Sequence, residues 1–269
     1  MKIRKEDAVK KRRLVKALLI ATAVLLFVIA AVLIFIYFTP QGYRMTVFMH
    51  GYHEILDGVW LDDDFSGDID EVCDIVFDSR DRVNTFFGEI TSKPCLIITE
   101  NERKLRRIGG EHDIVTFAVG EVYSYISVAT DSLNVDVTAH ELMHAETHKR
   151  LYDGKVTFKR GVPAWFDEGI ALQADYDVQY RWSVMLEYTE DLSVLPEFSD
   201  FADEDDFYAE DTETRLYHYV MSKHEIGCWL LTYGGEQAMV ELIEKLNAGG
   251  DFDELYGKPI LNKGNERNQ

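Results

Sequence analysis

Cysteine is scarce in this chain. Cys73, Cys95 and Cys228 are the only three in 269 residues, and none lies in a C-x-x-C pair. A cysteine-based zinc site of the usual spacing is therefore excluded. Three is an odd number, and outside a reducing compartment a Cys73–Cys95 disulfide is one option whose pairing the sequence does not establish. No G-x-S-x-G stretch occurs, so a serine or cysteine hydrolase has no support. Positive charge is also in deficit, with 28 Lys and Arg against 48 Asp and Glu. After residue 38 no second apolar run is long enough to span a bilayer. What is plentiful is apolar and aromatic, at 46% and 12%, which marks a globular chain rather than a disordered one.

The one long apolar run covers residues 17 to 38, with Thr22 its only polar interruption. Its 22 residues span roughly 33 Å as a helix, the thickness of a bilayer core. A cleaved signal peptide would carry a shorter apolar region and a small-residue cleavage site, whereas Tyr37-Phe38-Thr39-Pro40 follows here. The run is read as a retained single-pass anchor in contact with the lipid bilayer. Residues 1–16 carry eight basic and two acidic side chains, which predicts a cytoplasmic tail. Residues 39–269 are then an extracytoplasmic domain at the cell membrane. That domain keeps 20 basic and 46 acidic residues, a net of −26. Such a charge argues against nucleic acid and against electrostatic binding to an anionic membrane surface.

Residues 43 to 128 read as mixed α/β. Thr46–Met49 is a candidate short strand. Val72, Ile75, Val76, Val83 and Phe87 keep helical spacing across residues 68 to 88. Cys95–Thr99 is a buried-type strand opened by Pro94, and Asn101–Ile108 a short basic helix stopped by Gly109-Gly110. Val122–Val128 alternates as a strand, with Tyr123, Tyr125 and Ser127 on one face and Ile126 and Val128 on the other. Lying just before the central motif, it could form a cleft lip that adds an extended peptide as a strand, or serve as a plain core strand.

Three other patterns have plain readings. Asp62, Asp64, Ser66 and Gly67 follow the first part of a calcium loop, but its twelfth position is Cys73 rather than a bidentate Glu, which favours a solvated acidic turn. His50, His53 and Glu54 match neither order of zinc motif and are read as structural. Asp200–Glu213 reads as a solvated acidic loop with aromatic anchors.

His140-Glu141-Leu142-Met143-His144 is the chemical centre. Two histidines four residues apart are separated by about 400° of turn and roughly 6 Å of rise on a helix, so both imidazoles can reach one metal. Glu141 lies beside them with its carboxylate free to act as a base. The helix is expected from Asn134 or Asp136 to about Arg150. A catalytic zinc needs a third protein ligand. The metzincin pattern fails, because Thr147 and Arg150 stand where Gly and His belong. His148 lies about 12 Å along the axis from His140, too far to share the metal, and reads as solvated or capping. Glu168 is the better candidate, in a second helix opened by Pro163 at its first position: Pro163-Ala164-Trp165-Phe166-Asp167-Glu168-Gly169-Ile170-Ala171.

HELMH followed by PAWFDEGIA resembles the gluzincin zinc metallopeptidases, the thermolysin and aminopeptidase clan, and among them the compact membrane-anchored members with a W-x-x-E-G-x-A helix. The resemblance implies an α+β, zincin-like domain with a small mixed sheet, an active-site helix and a helical C-terminal portion. It implies Zn2+ held by His140, His144 and Glu168, with Glu141 as general base and a peptide or protein as substrate. By position Tyr219 would assist the oxyanion, with Tyr217 second. The likeness runs through Tyr233-Gly234 to the stretch Gly250–Gly257 and covers roughly residues 120 to 257. One departure stands out: thermolysin-type enzymes place an orienting Asp four residues after the ligand Glu, and Leu172 occupies that position. The alternative is a catalytically inactive sensor or binding module that kept the fold.

Overall fold

A computed structural model describes residues 2–109, 115–119, 123–152 and 161–263. The chain opens with α1 (Lys2–Phe38), one unbroken 37-residue helix. Its apolar portion is long enough to cross a membrane and packs against nothing else along most of its length. Thr22, the lone polar residue there, donates its hydroxyl to Leu18 O at 2.9 Å and so leaves no unmet donor. Thr39 then caps α2 (Pro40–Met45), accepting from Gly42 N, and Pro40 provides a preset first turn.

The expected strand at Thr46–Met49 is absent. Val47–Met49 is a single 3-10 turn, and the first strands are β1 (Tyr52–Leu56) and β2 (Val59–Asp62), a tight hairpin turned at Asp57-Gly58. The short apolar run at 46–49 is used to pack Val47 beneath the sheet rather than to join it. Helix α3 (Ile69–Phe87) follows, capped by Asp68 and closed by Gly88. Then come β3 (Cys95–Thr99), α4 (Glu102–Arg107) capped by Asn101, β4 (Val115–Val119) and β5 (Tyr123–Ala129). Gly110 and Val122 lie outside the described residues.

The five strands run in the order β1-β2-β3-β5-β4. The central pairs β2/β3 and β3/β5 are parallel, and the outer pairs β1/β2 and β4/β5 are antiparallel. Both edges of β5 are therefore occupied, so it is a core strand and cannot accept a peptide by strand addition. Alternation along the strands divides the core. Leu96, Ile98, Ile126 and Val128 face the larger core with α3, whereas Ile97 and Tyr125 face a smaller one with Tyr43, Val47, Leu105 and Ile108.

The remainder is helical: α5 (Val135–Leu151), α6 (Ala164–Ala171), α7 (Trp182–Tyr188), α8 (Glu204–Phe207), α9 (Thr212–Tyr233), α10 (Glu236–Asn247), α11 (Phe252–Tyr256) and α12 (Ile260–Lys263). The expected acidic loop at 200–213 is instead a short 3-10 turn and α8, with Phe201 and Phe207 fully buried. Its aromatics pay no heed to the surrounding charge because they fill the space beside α9. Buried Glu225 on α9 accepts from the Tyr256 hydroxyl at 2.8 Å and from the N–H groups of Ile260 and Leu261 at 2.7 and 2.9 Å, fastening the last helices to the domain.

The minor sequence patterns also resolve. Asp62 is completely buried rather than solvated; it takes Lys104 Nζ at 2.5 Å and the Thr99 hydroxyl at 2.7 Å, so its carboxylate serves the fold. All three cysteines are free, and no Cys73–Cys95 bridge forms. His50 stacks on Tyr43 with ring centres 3.8 Å apart, a structural role as expected.

Candidate metal centre

Helix α5 carries the central motif. Asn134 starts it by accepting from Val137 N at 2.9 Å, and Glu146 fixes its far half. Fully buried Glu146 accepts from Thr91 N, Thr91 Oγ1 and Ser92 N at 2.7–2.9 Å and from Arg150 Nε at 2.6 Å. The helix packs against α3 and α6, which holds its histidines in place.

Helix α6 is buried over all eight residues, and Pro163 precedes it as the capping residue instead of occupying its first turn. Gly169 is what lets α6 lie against α9: a Cβ there would stand 2.6 Å from Ser222 O. Lys223 of α9 donates to Leu172 O at 2.7 Å and also to Asp175 O, closing the C-terminal end of α6. Arg82 pairs with Asp136 at 2.5 Å and donates to Ala174 O at 2.8 Å, so the turn after α6 is tied to both α3 and α5.

These packings bring three donor atoms to one point. His140 Nε2 and His144 Nε2 face each other 3.1 Å apart, and Glu168 Oε2 lies 3.3 Å from each. A tetrahedral ion with nitrogen and oxygen ligands at about 2.0–2.1 Å has ligand–ligand edges of about 3.3 Å. The triangle matches one face of such a tetrahedron. Glu168 Oε2 is buried and accepts no hydrogen bond, while its other oxygen, Oε1, accepts from the Tyr208 hydroxyl. One carboxylate oxygen is thus fixed and the other is left bare between two imidazoles. The donor set and its geometry fit a divalent metal, and the sequence-predicted trio His140, His144 and Glu168 comes together.

The orienting group absent at Leu172 is supplied from the other side of Glu168. Asp167 Oδ2 lies 3.3 Å from His144 Nδ1 and 3.0 Å from His148 Nε2. His148 is therefore neither solvated nor a cap; it shares the carboxylate that holds His144. Asp175 Oδ2 stands 3.9 Å from His140 Nδ1. Buried carboxylates around paired imidazoles are how metal-binding histidines are oriented. The pairing of His144 with His148 one turn later was the available sign; Tyr208, 40 residues from Glu168 in an acidic stretch, carried none.

The electrostatics follow from burial. Burial opposes charge on His144, but Glu168 and Asp167 outweigh it and raise its pKa well above the ordinary value. Burial likewise pushes Asp167 and Glu168 upward, and the neighbouring histidines more than reverse this, so both stay ionised. Glu141 is different: burial raises its pKa, and the histidines only partly offset the effect. Its Oε2 has no hydrogen-bond partner. A cluster with this many buried carboxylates requires positive charge within it.

Tyr219 lies beside the site, its ring centre 6.5 Å from that of His140, and burial together with Glu168 holds its hydroxyl protonated. Tyr217, the second candidate, turns away to pack on Tyr188 and Phe201. Comparison with known proteins supplies no relative: no protein-family model, curated protein or solved structure matches this chain.

Proposed function

We propose that the chain is a membrane-anchored, zinc-dependent peptidase of gluzincin type, hydrolysing peptide bonds with Glu141 as general base. The observation that carries this reading is the convergence of His140 Nε2, His144 Nε2 and bare Glu168 Oε2 next to unpartnered Glu141 Oε2. His140, His144 and Glu168 would hold the Zn2+. Zinc bound there supplies a Lewis acid for a carbonyl oxygen and lowers the pKa of water to about 7.

The protein groups divide the remaining work. Glu141, whose carboxylate is drawn upward by burial, accepts the proton of the attacking water and returns it to the leaving amine. Tyr219 keeps its proton and offers an O–H to the oxyanion as charge develops on it. Tyr208 fixes the rotation of Glu168, Asp167 faces His144 Nδ1 at 3.3 Å, and Asp175 adds a carboxylate charge 3.9 Å from His140. Helix α1 anchors the domain, and the basic tail before it favours the cytoplasmic side for the N-terminus, which puts the site outside.

The test uses the full chain in detergent. Metal analysis is expected to give one zinc per chain, and chelation to abolish cleavage of a peptide library. Glu141→Gln should keep the zinc and lower cleavage by about 10²–10⁴-fold. Undiminished cleavage by that variant would sink the mechanism. A zinc-loaded chain that cleaves nothing would instead favour a non-catalytic sensor or binding module.

A further inference from the structure

The net charge of the domain conceals a local reversal. Four of its 20 basic residues fall within Arg103–Arg107, and α4 brings three of them, Arg103, Lys104 and Arg107, to the point where α1 leaves its apolar segment. Two contacts fix that placement. His50 stacks on Tyr43 and meets the Tyr37 ring edge-on at 5.3 Å, so the domain touches the last turn of the apolar helix. Arg44 Nε donates to Ile108 O at 2.5 Å, which locks α2 to the end of α4.

Between these elements lies a recess of about 370 Å³ lined by Tyr37, Tyr43, His50, Arg103, Lys104 and Arg107. Lys104 is already neutralised by Asp62 and Asp64. Arg107 lies beside Tyr43 in this recess, and neither Arg103 nor Arg107 has an acidic partner among the described residues. Both are exposed. Directly after the apolar helix, Met45, Phe48 and Met49 are also exposed, at 55%, 62% and 49%, and Phe48 leans on Trp60. Exposed apolar side chains, aromatic rings and arginines gathered next to the end of an apolar helix are the composition expected where a protein surface meets lipid headgroups.

We infer that this recess binds the headgroup of an anionic phospholipid from the same bilayer that α1 crosses. It rests on α1 being a membrane span. Arg103 and Arg107 pair with the lipid phosphate, and Met45, Phe48 and Met49 rest on the acyl boundary. The domain is thereby docked at a fixed attitude instead of swinging on a tether, in spite of its net negative charge.

The test places the full chain in phosphatidylcholine liposomes with trace photoreactive phosphatidylglycerol or phosphatidylcholine, the diazirine being on the headgroup. Peptides covering residues 43–50 and 103–107 should be labelled about tenfold more by the anionic probe. Arg103→Ser with Arg107→Ser should bring the two probes level, Arg103→Lys with Arg107→Lys should retain the preference, and millimolar inorganic phosphate should change nothing. Equal labelling of the unaltered chain, or an anionic preference that survives the serine pair, overturns the inference. Displacement by inorganic phosphate also overturns it, assigning the recess to a soluble anion. Release of the unaltered chain from liposomes by alkaline wash is a different failure, that of the membrane span itself.

Discussion

Gly169→Ala is the substitution whose consequence can be worked furthest. The added Cβ would lie 2.5 Å from Ile226 Cγ1 and 2.6 Å from Ser222 O. The isoleucine can rotate away, but the serine carbonyl is part of the α9 backbone and cannot. Ordinary contact begins near 3.4 Å, so α6 and α9 must separate by about 1 Å. Overpacking of this kind costs about 1–3 kcal/mol. In a domain of this size that corresponds to a Tm lower by about 2–12 °C. The same shift moves Glu168, the adjacent residue, beyond the roughly 0.5 Å tolerance that the proposed zinc ligand set would have. Thermal melts of the full chain followed by near-ultraviolet circular dichroism, with zinc affinity from chelator competition, measure both effects. A Tm within about 1 °C of the unaltered protein, with unchanged zinc affinity, would refute the claim that close helix approach requires glycine here.

Three further outcomes are expected. Asp167→Asn keeps the shape but removes the charge shared by His144 and His148, so zinc affinity should fall about 10–100-fold in chelator competition; an unchanged affinity would show that Asp167 does not orient the ligand. Glu225→Ala leaves the Tyr256 hydroxyl and two backbone N–H groups without their acceptor, at a cost of about 3 kcal/mol or more, with hydrogen exchange accelerated across residues 256–263; protection equal to that of the unaltered chain would contradict the clamp. Burial pushes the Asp62 carboxyl up, but hydrogen bonds from Lys104, the Asp64 N–H and Thr99 outweigh it and the net pKa is lowered. Its stabilising contribution is therefore present above the unfolded value of about 3.9 and is lost as pH falls through the lower folded value. In Lys104→Met the buried carboxylate loses its cation, so the difference in urea midpoint from the unaltered chain should shrink as pH drops from about 6 to about 3. A difference independent of pH would exclude the ion pair as its source.

Local signals were the most legible part of the fold. Asp68, Asn101 and Asn134 cap the helices that follow them, and the 3.6-residue spacing of Val72, Val76 and Val83 gives the buried side of α3 directly. Patterns failed where a short segment had more than one use. The run at 46–49 packs beneath the sheet, the hairpin at 52–62 carries polar residues on its outer strand, and the acidic stretch at 200–213, whose aromatics do anchor it as expected, is a 3-10 turn and a helix rather than a loop. In each case burial is decided by what the rest of the chain places there, and no window of neighbouring residues contains that information.

The same division runs through the site and the membrane-proximal surface. Sequence alone determined the two histidines and Glu141, because one helical turn of four residues sets their relation, and it determined the apolar length of α1 for the same reason. The positions of Glu168 Oε2 between the imidazoles, of Asp167 beneath His144 and His148, and of Tyr208 on Glu168 belong to the packing of α5, α6 and the segment around α8. So does the gathering of Arg103 and Arg107 beside Tyr37. Those groupings join residues 19 to 70 positions apart, and only the closing of the core fixes distances across such separations.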